Sequence, residues 1–359
     1  MTTALEQRAA SRVAPIGLLF LVTASVGWGL NWPVMKFVFS EWPPLSARGW
    51  AGVIGAAALA LYAVATGVSL KVPADQWPRL IISAILNVAL WVAVMSYALL
   101  WLPASEAVVI AYTMPVWTAL LAWPLLGERL TLLRVTALVM AFAGLASLFG
   151  AGGMSANMAK LPGVLLALTG SVGFAVGTIF LKRYPIQLPG ATSATWQIAI
   201  GSVPIALAGT LLEHPHIAAL SSAGWFALGY MILVGHCIAY VTWFGAVERL
   251  PASVAAIGTM LVPVIGVVVS AIALHEPLGL SQIAALVFTV AGVALACRTH
   301  WRGAAANCDR ARMGQIRKLR AGCLGIVRAG RHRSRKLWRR YLCCRRGKTL
   351  SLETTSLIR

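Results

Sequence analysis

Ten apolar runs alternate with short polar links along the first 297 residues, at about 14–36, 44–66, 79–101, 103–126, 131–150, 162–182, 190–212, 222–244, 251–274 and 280–297. A hydrocarbon core about 30 Å thick takes roughly 20 apolar residues of helix to cross, and the runs approach or reach that length. Gly and Pro interrupt several of them, which membrane helices tolerate. The links carry turn residues, as in Lys71-Val-Pro-Ala-Asp75 and Gly150-Ala-Gly-Gly153, and none is long enough for a soluble domain. The first run follows Arg8 and Arg12 but continues through Trp28 to Trp32, beyond a signal-peptide h-region. The pattern predicts an all-α integral membrane protein of ten transmembrane helices.

The polar positions that punctuate these runs repeat. Leu102-Pro-Ala-Ser-Glu-Ala107 returns as Leu250-Pro-Ala-Ser-Val-Ala255, and the offset of 148 holds without a gap through Pro115/Pro263, Glu128/Glu276, Leu130/Leu278 and Gly144/Gly292. Apolar helices share Leu and Ala by composition alone, but not Pro and Glu in register. A weaker echo joins Ser25-Val-Gly27 to Ser171-Val-Gly173, with Lys36 matching Lys182 at offset 146. The halves are 13–150 and 161–297, five helices each. An odd number inverts the second half relative to the first. Inverted repeats belong to secondary transporters, whose substrate site lies between the halves near mid-membrane.

Composition agrees with lipid as the solvent. The 359 residues are 59% hydrophobic and 11% charged, against about half and about a quarter in soluble domains. Mean hydropathy is +0.80. The net charge of +20 is uneven: residues 298–359 hold 18 of the 30 Lys and Arg, leaving the first 297 residues with 12 basic and 8 acidic side chains. If the N-terminus is cytoplasmic, the inner links carry Arg8, Arg12, Lys71, Arg79, Arg129, Arg134, Lys182, Arg183 and Arg249, and the outer ones only Lys36, Arg48 and Lys160. The positive-inside rule favours that orientation. It places both termini in the cytoplasm, and the reading is of a multi-pass protein of a bacterial inner membrane.

Trp28-Gly29-Leu-Asn31, Pro44 with Arg48, Pro103-Ala-Ser105 leading to Pro115, and Leu126-Gly-Glu128-Arg-Leu130 with its partner Leu274-His-Glu276-Pro-Leu278 resemble the EamA-type branch of the drug/metabolite transporter superfamily. The resemblance covers about residues 13–297 and implies a ten-helix carrier that exports amino acids or other metabolites. It also implies a central cavity among the first, third, fourth, sixth, eighth and ninth helices. His275 stands where the family pattern has Gly. The tail after Cys297 has no counterpart.

Polar groups inside hydrocarbon are expensive and so are candidates for function. Substrate contacts are expected from Trp28, Asn31, Asn87, Trp91, Tyr112, Thr178, His236 and Tyr240. Each also has a packing reading: Asn31 as an interhelical hydrogen bond, and the His236, Tyr240 and Trp243 stripe as core. His236 titrates near neutral pH when unperturbed, and with Glu106 it is a candidate for proton coupling. Glu106 otherwise suits the first turn of its helix. Pro115 and Pro263 are expected to kink their helices. Glu128 and Glu276, in tight links, are expected to cap the helices that follow.

There is no phosphate-binding loop for ATP, no cofactor or metal motif, and only Asp75 among aspartates before residue 297. These points argue against an enzyme and against a metal-ion carrier. Trp, Tyr and Asn without an evident buried Arg suit a neutral or zwitterionic substrate. The six cysteines form no zinc or disulfide pattern. A membrane receptor signalling through its basic tail is the competing reading, but it has no need of two opposed halves. The tail, 298–359, has Arg331-His-Arg-Ser-Arg-Lys336 for anionic lipid and Cys343-Cys344 for acylation. Its composition is equally that of a disordered segment or a shifted reading frame. No nucleic-acid partner is expected.

Overall fold

The computed structural model describes residues 15–127, 132–149, 153–250, 254, 258–292 and 294–295. The tail lies outside them, as do Glu128 and the link that bears it. Among the described residues the chain is helical, without a strand. In chain order the helices are α1 (Pro15–Glu41), α2 (Pro44–Ala65), α3 (Ala74–Trp101), α4 (Ala104–Leu126), α5 (Leu132–Phe149), α6 (Gly153–Arg183), α7 (Gly190–Glu213), α8 (Ser222–Arg249), α9 (Leu261–Ala273) and α10 (Leu280–Gly292). Seven of them, α1 to α4 and α6 to α8, are long and apolar enough to cross a bilayer. The outer surface is apolar, with Leu61 71%, Leu211 71%, Phe226 81% and Leu280 87% exposed, far more than water-soluble packing leaves bare.

α1 extends to Glu41, five residues past its expected end. Pro33 lies inside it without stopping it. Among the described residues, the glycines at positive φ are Gly67 and Gly127. Gly127 ends α4 at φ +67, and His275, its mate at offset 148, adopts the same left-handed conformation at φ +53. The chain needs a tight reversal at both places. In the second it is made by a side chain poorly suited to it.

The most extensive helix pairings all join one half to the other: α2 to α7, α3 to α6, α1 to α8 and α9, α4 to α6. Small residues permit this. A Cβ on Gly209 would meet the Ser46 backbone, and one on Gly49 the Ala206 backbone, so α2 and α7 approach main chain to main chain.

One face of the molecule is held by carboxylates. Glu213, ending α7, accepts from the Leu45 and Ser46 amides (3.1 and 2.8 Å) at the start of α2. Glu41, ending α1, accepts from the Ser221 amide at 3.0 Å and hydroxyl at 2.7 Å, before α8. Glu276, after α9, accepts from the Ala104 and Ser105 amides at 2.6 and 2.9 Å, opening α4. Each satisfies free N–H groups at a helix start, and each crosses from one half to the other. Lys36 donates to the Leu99 and Leu102 carbonyls that end α3 at the same face.

Candidate functional site

Two helices depart from α geometry at matching places. Ile85–Ala89 in α3 and Met231–Ile238 in α8 are π-helical. Shifted by 148, the first falls within the second. A π turn carries one extra residue and loosens the ladder, and such turns recur at functional sites. Here they carry Asn87 and His236.

Each π segment faces a helix of the opposite half through an asparagine and a glycine. The Asn31 carboxamide of α1 packs against Gly235 in α8, 3.1 Å from where a Cβ would stand. The Asn87 carboxamide of α3 packs against Gly177 in α6, leaving no room for a methyl. Gly177 is the repeat mate of Asn31 at offset 146, and Gly235 that of Asn87 at offset 148. The same contact is thus made twice, with the two residue types exchanged. Asn31 Oδ1 and Asn87 Oδ1 are both buried and, among the described residues, without a hydrogen-bond partner. Asn87 Nδ2 donates to Ser83 Oγ at 3.1 Å, which in turn donates to Gln197 Oε1 at 2.7 Å. Buried orphan acceptors are uncommon, and an absent ligand or water is a standard reason for one.

Aromatic rings flank both contacts. Trp28 packs edge-on against Tyr240 at 5.5 Å and lies 5.7 Å from Trp243, and its indole N–H donates to the Gly235 carbonyl at 3.2 Å. At the second contact, Trp91 packs edge-on against Phe174, the mate of Trp28, at 5.3 Å. Trp28, Trp91 and Tyr112 lean on one common core. Thr178 is next to Gly177, but its hydroxyl is spent on the Phe174 carbonyl at 2.9 Å.

His236 lies over α2 at Gly52 and Gly55; a Cβ on Gly55 would stand 2.5 Å from the His236 Cβ. Its Nδ1 is 2.8 Å from the Met231 carbonyl. A carbonyl can only accept, so Nδ1 carries the proton and the neutral ring presents Nε2 as an acceptor. Glu106 differs: it is 3% exposed and paired with Lys160 of α6 at 2.7 Å. Among the described residues no cluster of three His, Cys, Asp or Glu side chains could hold a metal.

The prolines act at breaks between helical segments. α4 is interrupted at Tyr112 and Thr113, and the turn at Thr259 and Met260 precedes α9. Pro115 and Pro263 stand just after them. The Ser171 hydroxyl of α6 is shared between the Ala167 carbonyl of its own helix at 2.9 Å and the Ile110 carbonyl at 3.0 Å, and Ser25 of α1 donates to the Gly258 carbonyl at 3.1 Å. The serines are mates at offset 146 and the carbonyls at 148.

Two expectations need correcting. Glu276 caps α4, in the opposite half, and not the next helix, whose start is held by Gln282 accepting from the Gly279 amide at 3.0 Å. The interior also contains an arginine. Arg48, counted with the outer links, is 8% exposed, with Tyr240 and His236 within electrostatic range. One turn into a span, an arginine is expected to reach back to the headgroups. Packing against Met35 of α1 turns it inward instead.

The EamA-like transporter family matches residues 15–150 and 161–298. Among curated proteins, the chain is 32% identical over 280 residues to "Uncharacterized transporter YvbV" of Bacillus subtilis, covering 77% of this chain and 89% of that one. It is 26% identical over 291 residues to a "Probable amino-acid metabolite efflux pump" of Salmonella typhimurium, covering 77% and 93%. A solved crystal structure superposes with a TM-score of 0.56 at 23% identity, over 79% of this chain and 98% of the other. That likeness concerns the fold.

Proposed function

Because the chain belongs to the EamA-like transporter family, we propose that it exports a small neutral or zwitterionic, amino-acid-like metabolite by alternating access, in exchange for protons. The protein is a multi-pass membrane protein whose relatives are named as transporters. In this reading α1 to α10 are ten spans in two inverted five-helix repeats, 13–150 and 161–297, in a bacterial inner membrane with both termini cytoplasmic.

The observation that carries the reading is the exchanged pair of contacts, Asn31 on Gly235 and Asn87 on Gly177, each with an orphan carboxamide oxygen. Two related polar points, both supplied by the first half, each seated on a glycine of the second and flanked by Trp28, Tyr240 and Trp91, suit a ligand held between halves that move against each other. The relative named as an amino-acid metabolite efflux pump supports the substrate class. His236 is the proton carrier in this scheme, since its Nε2 has an acceptor role to fill. Glu106 is less suited, being committed to Lys160.

The test is flux of labelled amino acids, nucleosides and toxic analogues from proteoliposomes, with and without a pH gradient. Asn87→Ala and His236→Gln should each lower flux at least tenfold. If both transport normally, the site assignment fails. If no gradient-driven flux of any compound is found, the transport reading fails.

A further inference from the structure

Arg48 is the buried charged group that the ties between helices leave unused. Among the described residues its hydrogen-bond acceptor is Met35 Sδ, and its Nε has none. A guanidinium offers five N–H donors in a planar fork, and a thioether is a weak acceptor. The described carboxylates around the helix ends are committed elsewhere. Glu213, Glu41 and Glu276 hold the starts of α2, α8 and α4, and Glu106 holds Lys160. Among the described residues Arg48 therefore has no carboxylate partner, and a buried cation without a counter-charge is strongly unfavourable.

We propose that Arg48 anchors the carboxylate of the transported molecule, which makes the substrates small monocarboxylates with an apolar or aromatic body. The inference rests on the transporter reading above. A carboxylate matches two parallel N–H groups of the fork. A dianionic phosphate fits less well, because Glu213 already occupies the start of α2 one turn away. Tyr240 lies within electrostatic range of Arg48 and packs edge-on against Trp28. The body of a carboxylate held at Arg48 would meet these rings. In an amino acid the ammonium group has the orphan Asn31 oxygen and the faces of Trp28 and Tyr240 to go to.

The test is equilibrium binding to the purified full chain in detergent, read by tryptophan fluorescence. The probes are phenylacetate against phenylacetamide, and phenylalanine and leucine against their amides. At least one acid should bind tenfold or more tightly than its amide. Arg48→Gln should abolish that preference while the chain elutes and melts as a folded protein, and Arg48→Lys should retain part of it. Equal binding of acids and amides by the unaltered chain, no binding of any acid, or a preference that survives Arg48→Gln would each overturn the proposal. Because binding is measured without flux, a chain that prefers acids through Arg48 but moves none of them across liposomes refutes only the transporter reading.

Discussion

Glu276 accepts hydrogen bonds from the Ser105 amide at 2.9 Å and the Ser105 hydroxyl at 2.5 Å, joining residues 171 positions apart. With the Ala104 amide this gives one carboxylate three donors at a helix start. Glu213 on Ser46 and Glu41 on Ser221 repeat the arrangement at the same face. In each case an acid at or just past the end of a helix of one half meets the start of a helix of the other half. The stability of the interface between the halves therefore depends on a few exposed or half-buried carboxylates, while the apolar faces supply the packing around them.

Glu276→Ala should destabilise the protein by about 1–2 kcal/mol, the usual loss for a helix N-cap. Ser105→Ala should cost less, because the backbone amides keep their partner. The two should be non-additive when combined, since they share one site. Thermal unfolding in detergent measures all three variants.

Gly177→Ala should abolish transport. The added methyl would collide with Asn87 Oδ1, so the carboxamide must leave its position. Gly235→Ala should be milder, since its methyl meets Asn31 Oδ1 at 3.1 Å, a contact a small shift relieves. Flux from liposomes at matched protein load ranks the two; the reverse order would contradict the geometry.

Ser25→Ala and Ser171→Ala should each destabilise by about 1 kcal/mol, because each removes a donor from a carbonyl beside a helix break. Ser171→Ala should be the smaller loss: its single proton has a competing acceptor in its own helix, the Ala167 carbonyl at 2.9 Å. Chemical denaturation of the two variants and their double tests the order.

His275→Gly should raise stability by about 1 kcal/mol, since a side chain at φ +53 carries the left-handed penalty that glycine escapes. The repeat mate Gly127 already has this solution at φ +67. An unchanged or lower melting temperature would mean that the imidazole repays the strain through a contact.

Hydrophobic pattern alone was sufficient for the class of fold, because lipid permits only helices and closed barrels, and continuous apolar runs of about 20 residues are the helical case. Register of Pro, Ser and Glu at offset 148 was sufficient for the repeat. The candidate polar residues were also legible, since Asn31, Asn87 and His236 stand out against apolar neighbours. What each of them touches was not. The exchange of Asn and Gly between halves appears only when α1 lies against α8 and α3 against α6. The π turns that carry Asn87 and His236 follow from tertiary packing, as nothing local in Ile85–Ala89 or Met231–Ile238 demands an extra residue per turn. Glu276 reads as the cap of its neighbour until the packing of the two halves brings a different helix start closer. Arg48 shows the same division most plainly. Its position one turn inside a span is sequence, but whether it reaches water or the interior depends on which helix covers it, and that is decided by contacts between residues far apart along the chain.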